Sequence, residues 1–333
     1  MKAKAFRMLL AGTAVAAMLA MGTVSAMAEE EAVTEAVEEE AVTEAAGEED
    51  EENYETGDAS LDDPRNQDEI GENEILVVSF GTSYNDSRRL TIGAIENAIA
   101  EAFPDWSVRR GFTAQIIIDH VESRDGIHID NVEEALERAI DNGVKNLIVQ
   151  PTHLMAGIEY EELEETLAEY ADSFDQVVLG ANLLDTDEDF ARVEQVLVDL
   201  LADYDDGETA LVYMGHGTEH ESNGIYAKMQ EQLAADGYEN YYVGTVEAEP
   251  SLDDVLEAIA DKGYKKVVLH DMMVVAGDHA NNDMADPEDP ESWYSTFTAA
   301  GYEVEALLDG LGEVPEIQQM YVEKTQASID SLE

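Results

Sequence analysis

Residues 142–160, NGVKNLIVQPTHLMAGIEY, lie without gaps over residues 262–280, KGYKKVVLHDMMVVAGDHA. Lys145 matches Lys265, Ala156 matches Ala276 and Gly157 matches Gly277, each 120 positions on. Each copy runs from a glycine through an apolar stretch to Ala-Gly and then to a chemistry-bearing residue, Glu159 in the first and His279 in the second. A second match sets VSFGTS (78–83) on MGHGTE (214–219), with Phe80 opposite His216 and Gly81 opposite Gly217. Self-similarity at a long fixed period marks a structure built from like units.

Around these anchors, short β-rich runs alternate with helical patterns. EILVVSF (74–80), SVRRGFT (107–113), VKNLIVQPTHL (144–154) and QVVLGANLL (176–184) read as strands. TIGAIENAIAEAF (91–103), VEEALERAIDNG (132–143) and YEELEETLAEYAD (160–172) read as helices between them. The second half repeats the plan and ends on a helix in VPEIQQMYVEKTQASIDSL (314–332). Alternation of this kind predicts an α/β fold with parallel sheets flanked by helices. The repeat predicts two similar lobes facing each other across a cleft, at residues 71–203 and 204–333, with the closing helix in the second.

The N-terminal part differs. Residues 1–28 carry Lys2, Lys4 and Arg7, an apolar stretch and Ala-Met-Ala, which reads as an export signal cleaved after Ala28. The protein is therefore expected to be periplasmic, extracellular or cell-surface, with no stable membrane insertion after cleavage. Residues 29–70 are acidic and of low complexity, with EAVTEA occurring twice, and read as a disordered spacer. The chain has no cysteine, so neither disulfides nor a lipoprotein linkage is available. A formal net charge of −60 repels nucleic acid and anionic lipid and excludes nucleic acid as a partner. Homo-oligomerisation stays open.

Ligands of parallel α/β sheets bind beyond the carboxyl ends of the strands. His216, Glu159 and His279 all stand at such ends. Two imidazoles and a carboxylate suit a borderline divalent ion such as Co, Ni, Fe or Zn better than Ca or Mg, and an imidazole can also move a proton near neutrality. The plainer reading makes His216 and His279 glycine-flanked turn residues bonded to backbone. His153 reads either as a core histidine or as pocket lining. His270 reads as structural, His120 and His128 as flanks of a surface turn at VESRDG, and His220 as a solvated loop residue. GTSYNDSRR (81–89), with Ser83, Arg88 and Arg89, reads either as an anion cradle at a helix start or as an ordinary helix start. Arg109, Arg110 and Arg124 add to a basic cluster in the first lobe, which serves either a polycarboxylate ligand or surface charge balance.

Taken together, ILVVSFGTSYNDSRRLTIGAIENAI, GFTAQIIIDHVESRDGIHIDNVEEAL, QPTHLMAGIEYEEL, MGHGTEHESNGIYAKM, VGTVEAEPSLDDVL and MMVVAGDHANNDMA resemble the anaerobic CbiK-type cobaltochelatases, class II tetrapyrrole chelatases. The resemblance runs from about residue 74 to 325. It implies a ferrochelatase-like fold and ATP-independent insertion of Co2+, as substrate, into sirohydrochlorin, with Fe2+ or Ni2+ as alternatives. It further implies that His216 and His279 are metal-binding histidines and that Glu159 is the active-site glutamate. The arginines are then expected to dock the acid side chains of the tetrapyrrole. Export departs from cytoplasmic cobalamin synthesis. A metal, haem or solute carrier without turnover is the competing expectation, and a metal buffer acting through the acidic spacer is a weaker one.

Overall fold

The computed structural model describes residues 56–332. The expected export signal and the acidic stretch up to residue 55 lie outside the described residues. In the first half, β1 (Asn73–Ser79), α1 (Asn85–Leu90), α2 (Ile92–Ala102), β2 (Ser107–Phe112), α3 (Gln115–Asp125), α4 (Val132–Asp141), β3 (Asn146–Pro151), α5 (Ile158–Tyr170), β4 (Gln176–Leu179) and α6 (Asp187–Leu200) follow in order. The second half holds β5 (Thr209–Gly215), α7 (Gly224–Ala235), β6 (Tyr241–Thr245), α8 (Leu252–Ile259), β7 (Lys266–Asp271), α9 (Trp293–Ala299), β8 (Glu303–Leu307) and α10 (Pro315–Asp330).

The strands form two four-stranded parallel sheets of the same topology, β2-β1-β3-β4 and β6-β5-β7-β8. The repeat read from sequence is visible in the backbone. Thr152 N–H donates to Val78 O and its mate Met272 N–H donates to Met214 O, both at 2.8 Å. Thr113 N–H donates to Ser79 O as Val246 N–H does to Gly215 O. Ala114 N–H donates to Phe80 O as Glu247 N–H does to His216 O.

Alternation along each central strand explains the layers. Ile75 and Val77 of β1 join Leu211 and Tyr213 of β5 in one core shared by both sheets. Leu76 and Val78 face a second core beneath α4 and α5, and Ala210, Val212 and Met214 face a third beneath α8 and α9. Each large apolar side chain buried this way contributes about 1.5–3 kcal/mol.

Two helices cross between the lobes, and this corrects the expected division. α10, assigned by chain order to the second lobe, packs on α2 and β3 of the first. Its buried Tyr321 donates to Thr152 O at 2.6 Å, and Lys324 pairs with Asp189. Conversely α6, not among the elements read from sequence, packs on α7. Tyr213 donates to Leu197 O, and Gln232 Nε2 to Glu194. The apolar faces of both helices belong to the shared core, so covering that core decides their places, not chain order.

Two further expectations change. VESRDG is not a surface turn: residues up to Asp125 belong to α3, which ends at Gly126 with φ +68°. Residues 56–70, placed in a disordered spacer, are ordered on the first lobe. Asp62 pairs with Arg88 at 2.6 Å and Arg110 at 2.8 Å, Arg65 pairs with Glu96, and Arg110 N–H donates to Arg65 O. The segment is held by ion pairs and backbone bonds, which an argument from apolar burial does not register.

The buried Glu74 carboxyl lies 3.5 Å from Arg109 Nη1 and accepts no hydrogen bond among the described residues. Burial pushes it up to about 7, against the pull of Arg109. Between its ordinary value of 4.5 and 7 the native chain then holds more protons than the unfolded chain, so stability falls as pH rises through that window. The loss attributable to Glu74 is on the order of 3 kcal/mol. Urea unfolding of the wild type at the two ends of the window, compared with Glu74→Gln, should show it in the wild type alone. Parallel pH dependence in both proteins would refute the assignment.

Candidate metal centre

Strand β5 ends at Gly215, and His216 is the first residue beyond it. Its glycine neighbours are required by space and backbone. A Cβ at Gly215 would run into the Tyr226 ring. Gly217 has φ +88°, and a Cβ there would stand 2.8 Å from Ala248 N. Turning the chain this tightly leaves the imidazole as the only side chain of the three, with 42% of it exposed.

His279 comes from the loop after β7 and heads a single π-helical turn, Ala280–Met284. Its ring stands edge-on to that of His216, with centroids 4.5 Å apart and planes at 88°. The third member of the group is Glu247, just past β6, whose Oε2 lies 3.6 Å from His216 Nδ1. One ligand atom from each of the three lies within 4.8 Å of the others. That is the spacing of donors around a single ion, and the three come from the ends of β5, β6 and β7.

The tautomers are set by the partners. His216 Nδ1 donates to Gly217 O at 2.8 Å, since a carbonyl only accepts. His279 Nδ1 donates to Asp283 Oδ2 at 2.7 Å, one helical turn on. In the neutral form each ring then keeps the Nε2 lone pair through which histidine ligates, and the Asp283 bond fixes the orientation of His279 and raises its basicity. Burial pulls the His279 imidazole down, but Asp283, Glu247 and Asp278 pull it up further, and the net direction is up. This negative surround draws a divalent cation inward.

The expected third member, Glu159, is not in the group. It sits in the first turn of α5, with Oε2 3.7 Å from the point a Cβ on Gly157 would occupy. Ser222 Oγ, from the loop that begins at His216, is 3.4 Å from the same point. Glu159 thus stands where the first lobe meets the loop carrying His216. Its charge also acts on His153, whose ring is buried with both nitrogens unpartnered among the described residues. Burial holds that imidazole down at about 4, so it is neutral near pH 7.

Three of the arginines are not placed to dock a ligand. Arg88, Arg109 and Arg110 are fully buried. Arg110 grips Glu96 with two bonds of 2.8 Å, and Arg109 pairs with Asp130 at 2.9 Å. Arg88 is held by Asp62 and Thr82 O. Arg89 bonds to Asp86, and Ser83 is buried with its carbonyl accepting from Arg124. In a chain with 17 basic and 77 acidic residues, Arg88, Arg109 and Arg110 are taken up by internal carboxylates, and of the predicted anion cradle Arg89 alone keeps a partly exposed guanidinium, with its Nε unpartnered among the described residues.

Among the other histidines, His270 is buried against Tyr213, as expected of a structural residue. His220 caps a short turn and lies 3.5 Å from Glu161. His120, on α3, acts electrostatically on Asp278 beside His279. His128, Asp130 and Glu134 form a second group with ligand spacing, but Asp130 is already bonded by Arg109 and Arg138, which oppose a cation there.

The profile of the family described as Cobalt chelatase (CbiK) matches residues 73–330. The chain belongs to that family. A sirohydrochlorin cobaltochelatase of Salmonella typhimurium is 37% identical over 248 residues, covering 74% of this chain and 93% of the relative. Sirohydrochlorin cobaltochelatase CbiKC of Nitratidesulfovibrio vulgaris is 28% identical over 261 residues, covering 78% of this chain and 91% of the relative. Among solved structures, SirB from Bacillus subtilis with Fe3+ superposes with a TM-score of 0.54 at 13% identity, covering 78% of this chain and 96% of that one. At that identity the likeness concerns the fold, and it agrees with the expected chelatase architecture.

Proposed function

We propose that this member of the cobalt chelatase family inserts Co2+ into sirohydrochlorin, the substrate named for both relatives. The observation that carries the reading is the His216–His279–Glu247 group, open to solvent and, among the described residues, made of three candidate ligands. A closed four-ligand site keeps its ion, whereas three ligands leave positions for incoming ring nitrogens. Fe2+ and Ni2+ suit the same donors, so metal choice rests on supply and geometry.

The overall step exchanges one divalent ion for two pyrrole N–H protons. His216, His279 and Glu247 hold the ion through neutral imidazoles and one carboxylate. Glu159, outside that group, is free to take a proton from the ring as a general base. Dividing these roles between two glutamates keeps the base from being occupied by the metal. Mixing the purified full chain with Co(II) and sirohydrochlorin, and following the absorption change, tests the reading. A rate equal to the uncatalysed one overturns it.

We further propose that the protein acts outside the cytoplasm. Residues 1–28 support this by composition, and the family match begins only at residue 73, so the N-terminal segment is an addition to the shared fold. Fractionation with N-terminal sequencing is expected to find a chain starting at Glu29 outside the cytoplasm. A chain retaining Met1 in the cytoplasmic fraction rules this out.

A further inference from the structure

We infer that Phe80 is the platform for one face of the substrate macrocycle, the face away from the metal; this rests on the chelatase reading above. Phe80 is the first residue past β1, the central strand of the first sheet, and it is 46% exposed. A large aromatic ring left in water forgoes substantial burial; a single one would need no explanation, and what distinguishes Phe80 is its place at a strand end among other exposed apolar residues. Its surroundings share the character. Ile116, beyond β2, and Ile158, beyond β3, are also exposed. All three stand at the carboxyl ends of the first sheet, where ligands of such sheets bind.

The repeat states what that position is for. Phe80 is the mate of His216, and their carbonyls accept the same backbone bond, from Ala114 and from Glu247. The metal group His216, Glu247 and His279 therefore corresponds, in the first lobe, to Phe80, Ala114 and Glu159. Where the second lobe has two ligands, the first has a phenyl ring and a methyl group. Where the second has its remaining imidazole, the first has the free carboxylate.

The two half-sites adjoin across the lobes. Thr82 Oγ1, two residues from Phe80, lies 3.2 Å from the point a Cβ on Gly277 would occupy, two residues before His279. A conjugated macrocycle is flat, and an ion entering its centre approaches along the perpendicular from one face. The opposite face needs a rigid apolar support, and Phe80 supplies one from the lobe that lacks metal ligands.

The test uses the full chain and two separate titrations, metal-free sirohydrochlorin by absorption and Co(II) alone by its visible band. Phe80→Ala is expected to raise the dissociation constant for the tetrapyrrole about tenfold, with Co(II) affinity unchanged. Phe80→Trp, which restores a flat ring, is expected to bind as the wild type does. Wild-type tetrapyrrole affinity in Phe80→Ala overturns the inference. So does an equal loss of Co(II) binding, which would mean a general disturbance of the site. A wild-type chain that binds both ligands but does not speed metallation would instead overturn the chelatase reading, and the two failures are thereby distinguishable.

Discussion

Full chain carrying His216→Ala is expected to metallate sirohydrochlorin no faster than the uncatalysed reaction, and His279→Ala is expected to do the same. Both rings belong to a three-member group, so each removal leaves two ligands, one of them a carboxylate. Loss of an outer partner of a metal-bound histidine already costs about 10–100-fold, so loss of the imidazole itself costs at least roughly 100-fold. Asp283→Asn measures that outer effect directly. It keeps the shape and removes the charge that orients His279 and raises its basicity. A drop of about 10–100-fold, recovered at high Co(II), is expected. The histidines are partly exposed and off the core, so melting temperatures should stay close to the wild type. Turnover by His216→Ala within about threefold of wild type, a change of well under 1.4 kcal/mol, would remove the imidazole from the mechanism.

The sequence carried the parts of this site that follow from repetition along the chain. The match of residues 142–160 on 262–280 located His279, and VSFGTS on MGHGTE located His216, because both segments are strand ends fixed by backbone pairing. The third member of the group, Glu247, was not read from sequence, for a reason internal to the same argument. Glu159 is the repeat mate of His279 and was grouped with the two histidines because all three stand at strand ends. Mates occupy equivalent places in different lobes, however, and the three residues that come together here all stand at strand ends of the second sheet. Glu247 was already present in VGTVEAEP at the end of β6, beside the His216 strand, and sheet order would have selected it. The arginines were misplaced because sequence does not tell a cation that faces solvent from one that faces a buried acid. Arg110 between Glu96 and Asp62 is of the second kind. The exchange of α6 and α10 depends on which core each apolar stripe covers, and periodicity alone does not say that.

Separating the two glutamates is the sharper experiment. Glu247→Gln is expected to weaken Co(II) binding about 10–100-fold, with turnover regained as the metal is raised. The amide oxygen it leaves is a neutral and poorer ligand, but the two imidazoles and the Asp283 bond remain. Glu159→Gln is expected to behave oppositely. It stands outside the metal group, so Co(II) affinity should hold, while the turnover rate falls by about 10²–10⁴-fold because the ring protons lose their acceptor. Excess metal cannot recover that loss. Raising pH should recover part of it, since hydroxide and buffer bases then compete for the same protons. If instead Glu159→Gln loses Co(II) affinity and Glu247→Gln does not, the ion sits toward the first lobe, and the assignment drawn from the three-residue group is reversed.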